Sequence, residues 1–307
     1  MPKVVFRYIN NGSYTMTALK KFINISIIIL TIAVFLCSCK QAETETENAN
    51  LLPPQVTNEF TVSFLKVGKA DAIILQTANH SAVIDCGEED DSEEILQFLS
   101  DNSISCIDYL FITHFDKDHV GGVANVLNGM KTEKIITPLY EGSNDEYNNY
   151  IKAAQANNIV PIKLADNMSF ILDDVLFEVY PPQKTSYKEG DNDFSLAISV
   201  THGDNTFLFT GDAEEERLSE IMRQTNREYS FLKVPHHGRY NNDTENFIKQ
   251  INPSYSVITC SKKNMADEET INALENNGSA VYLTMNGDIK AVSDGQTINV
   301  TQKGIEK

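Results

Sequence analysis

Six consecutive residues, His114-Phe115-Asp116-Lys117-Asp118-His119, carry four metal-binding side chains. They follow the apolar run Tyr109-Leu110-Phe111-Ile112 and precede Gly121-Gly122. Charged groups are seldom buried unless paired or metal-bound, so packing does not explain this cluster at the end of a buried strand. A strand alternates its side chains, so only the loop that follows can aim His114, Asp116, Asp118 and His119 at one point. The two glycines let the backbone come close as it turns into the next helix. Imidazole and carboxylate donors suit zinc, manganese or iron rather than a thiolate-only structural site. A cation of that kind activates water, lowering the pKa of a bound molecule from about 15.7 to roughly 7.

Two further segments supply matching groups. Phe207-Leu208-Phe209-Thr210-Gly211-Asp212 reads as an apolar strand ending in a carboxylate, and Phe231-Leu232-Lys233-Val234-Pro235-His236-His237-Gly238 as one ending in two histidines. Around them the pattern alternates. Strands are expected at 60–67, 72–76, 81–85, 107–113, 134–137, 159–164, 169–172, 175–180, 195–201, 206–210, 231–234 and 255–259, with three more before Val300. Helices are expected at 92–101, with Ser92 as N-cap, and at 120–129, 145–156, 213–223, 244–251 and 267–276. The 181–194 stretch has no periodicity and reads as a flexible loop over the site. Two groups of strands with helices between them fit a layered α/β (α+β) domain.

His114-x-Asp116-x-Asp118-His119, followed by Asp212 and His236-His237-Gly238, resembles the His-x-His-x-Asp-His signature of the metallo-β-lactamase superfamily, with Asp116 replacing the middle histidine. The Val62-to-Leu75 hairpin, Ala82-Val83-Ile84-Asp85-Cys86-Gly87, Asn192-Asp193-Phe194-Ser195-Leu196 and the doubled histidine resemble the hydrolase domain of the ComEC DNA-uptake proteins. That similarity runs from about Phe60 to the C-terminus. It implies a four-layer αββα sandwich and two divalent metal ions, zinc or manganese. By resemblance, His114, Asp116 and Asp212 hold one, and Asp118, His119 and one of His236 or His237 hold the other, with Asp212 bridging. Asp118 orients the attacking hydroxide and relays its proton, with Asp212 as the second catalytic carboxylate. Asp85 and Asp71 stand behind the metal loop.

The family's third histidine on the first metal has no counterpart in place. His202 lies in the turn Thr201-His202-Gly203-Asp204-Asn205 and reads as a surface residue, whereas Asn192 and Ser195 lie nearer the expected position, on the substrate side. Arg239 stands where a serine is usual, and beside the histidines it can meet an anionic substrate. The 262–268 loop lacks a His-Pro pair often seen there. The implied activity is phosphodiester hydrolysis of nuclease or phosphoesterase type. Two alternatives stand beside it: hydrolysis of a β-lactam, lactone or other carboxylic ester, and a non-catalytic surface-binding lipoprotein with a degenerate metal site.

The rest of the 307-residue chain bounds these readings. Lys20-Lys21, the apolar run Phe22 to Cys37 and Ser38-Cys39 have the layout of a secretory signal. Leu36-Cys37-Ser38-Cys39 resembles a lipobox, implying a signal peptide over 1–38 and lipidation of Cys39 at the outer face of a bacterial plasma membrane. Residues 39–58 read as a polar tether, and 59–307 as the hydrolase domain. Residues 1–38 hold four basic residues and no acid, so a chain cleaved there has 21 basic against 43 acidic side chains, a net charge of −22. Such a surface repels phosphate backbones, which disfavours tight binding of long nucleic acid and leaves a small or chain-end anionic ester as substrate. Cys86, Cys106 and Cys260 form an odd set without metal-ligand spacing and read as buried inert thiols.

Overall fold

The computed structural model describes Val56 and residues 58–304. The signal, Cys39 and most of the tether lie outside the described residues. Among the described residues fifteen strands fall into two sheets. They are β1 (Phe60–Phe64), β2 (Ala72–Gln76), β3 (Ser81–Cys86), β4 (Ile107–Phe111), β5 (Thr132–Pro138), β6 (Ile162–Leu164), β7 (Met168–Leu172), β8 (Val175–Tyr180), β9 (Ala197–His202), β10 (Asn205–Phe209), β11 (Phe231–Lys233), β12 (Tyr255–Ile258), β13 (Ala280–Leu283), β14 (Ile289–Ser293) and β15 (Ile298–Gln302). The first sheet runs β15-β14-β1-β2-β3-β4-β5-β6 and the second β13-β12-β11-β10-β9-β8-β7.

Side-chain alternation builds the layers. Phe207 and Phe209 enter the core between the sheets, while Leu208 faces the opposite side. Ile73 and Leu75 likewise face the other sheet and Ile74 faces outward. The inter-sheet core is aromatic: Phe64 stacks on Phe209 and Phe231, and Phe170 on Tyr109 and Phe177. Helices α1 (Ser92–Asp101), α2 (Lys117–Val120), α3 (Val123–Gly129) and α4 (Asp145–Ala156) cover the first sheet through Ile95, Leu99, Val126 and Tyr150. Helices α5 (Glu215–Thr225), α6 (Thr244–Ile251) and α7 (Glu268–Asn276) cover the second through Leu218, Phe247 and Leu274. The result is an αββα sandwich.

Parallel pairing fixes where chemistry can collect. β3 pairs with β4, and β10 with β11, in parallel. The C-terminal ends of each pair therefore share an edge; Asp85 is the penultimate residue of β3, and the His114 loop, Asp212 and His237 follow the ends of β4, β10 and β11.

Four expectations need correction. The 120–129 helix is two helices, because the Gly121-Gly122 pair breaks it and places Asp118 and His119 in the one-turn α2 rather than in a loop. Ser92 is the first residue of α1, not its cap, and its Oγ donates to the Glu89 carbonyl at 2.7 Å. The 181–194 stretch is strapped down: the Gln183 N–H and the Tyr187 hydroxyl donate to Glu220 at 3.1 and 2.8 Å, the Lys188 N–H donates to Glu216, and residues 190–194 form a 3-10 turn. His202 is fully buried, with Nδ1 2.8 Å from Ser293 Oγ. The turn that exposes it in sequence is covered by Gly295 and Val56. Among the described residues no helix is long and apolar enough to cross a membrane.

Candidate metal centre

The His114 loop is shaped by what points away from it. Phe115 turns into the core against Tyr140, Tyr147 and Tyr150. Its N–H donates to the Tyr140 hydroxyl at 2.9 Å, and its carbonyl accepts from Asn144 Nδ2, while Asn144 Oδ1 caps α4 by accepting from the Tyr147 N–H. With Phe115 inward, His114 and Asp116 take the other side. Gly122 then runs under β3. A β-carbon there would overlap the Cys86 carbonyl oxygen, and one at Gly121 would overlap that of Lys117.

The second half of the site comes from strained backbone. His236 and His237 both adopt left-handed conformations, with φ of 44° and 52°, and Asp85 has φ of 58°. Each such residue costs on the order of 1–3 kcal/mol and persists only where surrounding structure enforces it. The two histidines consequently diverge. His237 is buried and puts Nε2 3.0 Å from Asp212 Oδ2 and 3.5 Å from Asp118 Oδ2. His236 is partly exposed, and its Nδ1 pairs with Glu214 at 3.0 Å.

Three buried imidazoles now share one arrangement. His119 Nδ1 lies 2.8 Å from Asp85 Oδ2, His237 Nδ1 lies 3.0 Å from Thr259 Oγ1, and His114 Nδ1 lies 3.1 Å from Thr113 Oγ1. Asp85 in turn accepts from the Thr113 N–H and hydroxyl at 2.8 and 2.7 Å. With every Nδ1 engaged, each Nε2 faces the centre, and none of the three has a hydrogen-bond partner. Asp118 Oδ2 and Asp212 Oδ1 are orphaned in the same way. His119 Nε2 approaches Asp212 Oδ1 to 3.3 Å without hydrogen-bond alignment. Buried polar atoms left without partners are costly, and outer-shell carboxylates and hydroxyls that fix imidazoles are typical of metal sites. Ligand atoms of His114, His119 and Asp212 lie within 4.8 Å of one another, as do those of Asp118, His119 and His237. These residues fit divalent cations.

The remaining expected residues lie around these two sets. Asp116 is 44% exposed, with Oδ2 3.8 Å from His114 Nε2. Asn192 donates to Glu214 at 2.7 Å. Ser195 is buried, accepts the Asp212 N–H at 3.0 Å and lies 3.5 Å from His114 Nδ1, so it positions ligands. Arg239 pairs with Asp267 at 2.9 Å. Asp71 joins Asp85 and His119 in a third compact group, behind the other two.

Electrostatics follow from this crowding. Burial disfavours charge on His119, His237, Asp118 and Asp212, yet opposite charges outweigh it. Asp212 and Asp85 lift His119 well above the usual imidazole value, and Asp212 and Asp118 raise His237. His237 and His119 hold Asp212 well below the carboxylate range, and with Lys69 they hold Asp118 down too. The carboxylates thus favour positive charge at this point, which a bound divalent cation would supply together with deprotonated imidazoles.

Comparison with known proteins agrees with this geometry. The family model described as the metallo-beta-lactamase superfamily matches residues 65–261, more than half of the chain. The chain belongs to the metallo-beta-lactamase superfamily. It is similar to ComE operon protein 3 of Bacillus subtilis, at 28% identity over 171 residues covering 55% of this chain and 22% of that protein. It is also similar to Recombination protein 2 of Haemophilus influenzae, at 26% identity covering 56% and 20%. The chain thus spans about a fifth of the length of these relatives. Among solved structures, the metallo-beta-lactamase fold protein YhfI from Bacillus subtilis superposes with a TM-score of 0.51 at 9% identity, covering 74% of this chain and 96% of that one.

As a metallo-beta-lactamase superfamily hydrolase, the chain carries two lysines at its metal centre to which the motifs assign no role. Lys233 is fully buried, its Nζ 2.6 Å from Asp71 Oδ2, 3.7 Å from Asp212 Oδ1 and 3.2 Å from the Gly211 carbonyl. Burial pulls its pKa down, and Asp71 and Asp212 more than restore it. A signal existed, since alternation after inward Phe231 and outward Leu232 puts Lys233 inward. Lys69 reaches Asp118 Oδ2 at 2.9 Å from the turn before β2, and no pattern in the sequence marks that contact.

Proposed function

We propose that this metal-dependent hydrolase cleaves phosphodiester bonds in a small or chain-end anionic substrate, with two divalent cations, zinc or manganese. The observation that carries the reading is the place of Asp212. It groups with His114 and His119 within 4.8 Å on one side, and its Oδ2 lies 3.0 Å from His237 Nε2 of the other set, so one carboxylate borders both ligand sets. A shared carboxylate suits paired cations, which supply Lewis acidity to a water and clamp the attacking and leaving oxygens of a phosphoryl group. His114, Asp116 and Asp212 would hold one, and Asp118, His119 and His237 the other. Asp85 and Thr259 keep the imidazoles in the tautomer that faces inward. Asp118 orients the attacking water and accepts its proton. The acidic surface favours a small substrate over a duplex held along its length.

The test is a metal analysis of the purified protein beside assays of a chromogenic phosphodiester, a nitrophenyl carboxylic ester and a chromogenic β-lactam. Turnover of the phosphodiester well above the other two is expected. Preference for the β-lactam or the carboxylic ester would transfer the reading to acyl chemistry. Failure to retain any zinc or manganese, with no turnover, would favour a binding role.

We infer from the lipobox-like segment that Cys39 carries a lipid anchor at the outer face of the plasma membrane. An acyl chain on this thiol gives membrane attachment. Cys39→Ala should abolish fatty-acid labelling and free the protein from the membrane fraction. Unchanged labelling would refute it.

A further inference from the structure

Four lysine or arginine side chains stand close to the metal motifs, and three of them are committed elsewhere. Lys117 points outward to Glu88 at 3.6 Å. Lys233 is sealed beneath the centre on Asp71. Arg239 lies on Asp267. Lys69 differs in two ways. Unlike Lys233 it reaches solvent, with 38% of its side chain exposed, and unlike Lys117 and Arg239, which are also exposed, its partner at 2.9 Å is Asp118, one of the proposed ligands. The pair reaches the surface, where an ion pair is worth at most about 1 kcal/mol and can be exchanged for another cation.

The root of Lys69 is fixed by backbone hydrogen bonds. Gly68 takes φ of 74°, the Ala70 N–H donates to the Val67 carbonyl, and the Asp71 N–H donates to the Asp118 carbonyl at 3.1 Å. The Gly87 N–H closes the set on the Asp71 carbonyl at 2.8 Å. This turn is therefore pinned to the metal loop on one side and to the end of β3 on the other. From that anchor a flexible four-carbon stem carries a compact charge. The centre beside it is rich in carboxylates, which repel an anion unless a nearby cation reverses the local field.

We propose that Lys69 is the anion-binding residue of this centre. It pairs with Asp118 while that carboxylate lacks a metal. Once a divalent cation claims Asp118, Lys69 turns to a non-bridging anionic oxygen of the ester. The inference rests on the anionic-substrate reading above, and it adds a separate claim, that Lys69 and metal compete for Asp118.

Both claims are tested with Lys69→Met and Lys69→Arg in the full chain. Zinc titration of the metal-free protein should give an affinity for Lys69→Met that is higher by up to about fivefold, the worth of an exposed ion pair. Inorganic phosphate should bind the zinc-loaded Lys69→Met protein roughly tenfold or more weakly, the loss of a charged hydrogen bond, and Lys69→Arg should retain binding. KM for a chromogenic phosphodiester should rise by a similar factor in Lys69→Met with a smaller change in kcat, and a neutral ester should be unaffected. Weaker zinc binding in Lys69→Met would mean that Lys69 only supports Asp118 and would overturn the proposal. So would unchanged phosphate affinity, or equal losses on both esters. If wild-type protein leaves phosphodiesters intact, the substrate reading fails, and the zinc and phosphate titrations still decide the role of Lys69.

Discussion

Asp118→Ala is expected to lower turnover by roughly 10²–10⁴-fold, the span of a positioned acid–base group, and to reduce retained metal as well. Both proposed roles of Asp118 rest on its place. Its Oδ2 is buried, has no hydrogen-bond partner, and lies 3.5 Å from His237 Nε2 and 2.9 Å from Lys69 Nζ. Removing the carboxylate takes a ligand atom from the set with His119 and His237, and the group that would accept the proton of the attacking water. The fold should survive, because the bond that ties this helix to the Lys69 turn uses the Asp118 backbone carbonyl, which alanine keeps. Cys106→Ser is the control, being a half-buried thiol 3.8 Å from Glu133 with no metal-site neighbour. Metal analysis, turnover and a melting curve on both variants decide the matter. An Asp118→Ala protein with full metal and more than a tenth of wild-type turnover would remove Asp118 from the mechanism.

The parts of this site that were legible in the sequence are those written in local pattern. The Phe207-Leu208-Phe209 alternation marks a strand between two layers, and the residues after it fall at the strand end where Asp212 is found. The spacing of His114, Asp118 and His119 places three candidate ligands within one loop and one helical turn. What was not legible is set by groups distant in sequence. His202 sits in a turn that reads as exposed, yet the hairpin carrying Ser293 and Gly295 buries it. The 181–194 stretch lacks periodicity because side chains of α5, Glu216 and Glu220, hold it instead of its own packing. Which of two adjacent histidines would be a ligand depends on left-handed backbone at both, and no residue type announces that. Lys233 is the instructive case. Its direction follows from alternation, but an isolated buried lysine is so costly that the sequence alone favours an exposed one, until Asp71 is found 162 positions earlier at 2.6 Å.

That pairing leads to the second large effect, Lys233→Met. Methionine fills nearly the same space, so the change is mainly electrostatic. Lys233 is fully buried and Asp71 almost so, and Asp71 Oδ1 already lacks a hydrogen-bond partner. Breaking one side of a buried ion pair leaves an uncompensated charge and costs about 3–5 kcal/mol. For a domain of this size that corresponds to a fall in Tm of roughly 6–20 °C. The metal-free protein should show the fall most fully, because cations bound near Asp71 would replace part of the missing charge. Asp71→Asn in the same chain removes the stranded carboxylate, so the double variant should be more stable than Lys233→Met alone, a non-additivity expected of contacting groups. Thermal melts of wild type, both single variants and the double variant, each with and without zinc, form the cycle. Should Lys233→Met melt within about 2 °C of wild type without metal, less than 1 kcal/mol by the same scaling, the buried pair contributes nothing. Lys233 would then be a passenger of strand alternation and not the internal cation that holds Asp71 behind the metal loop.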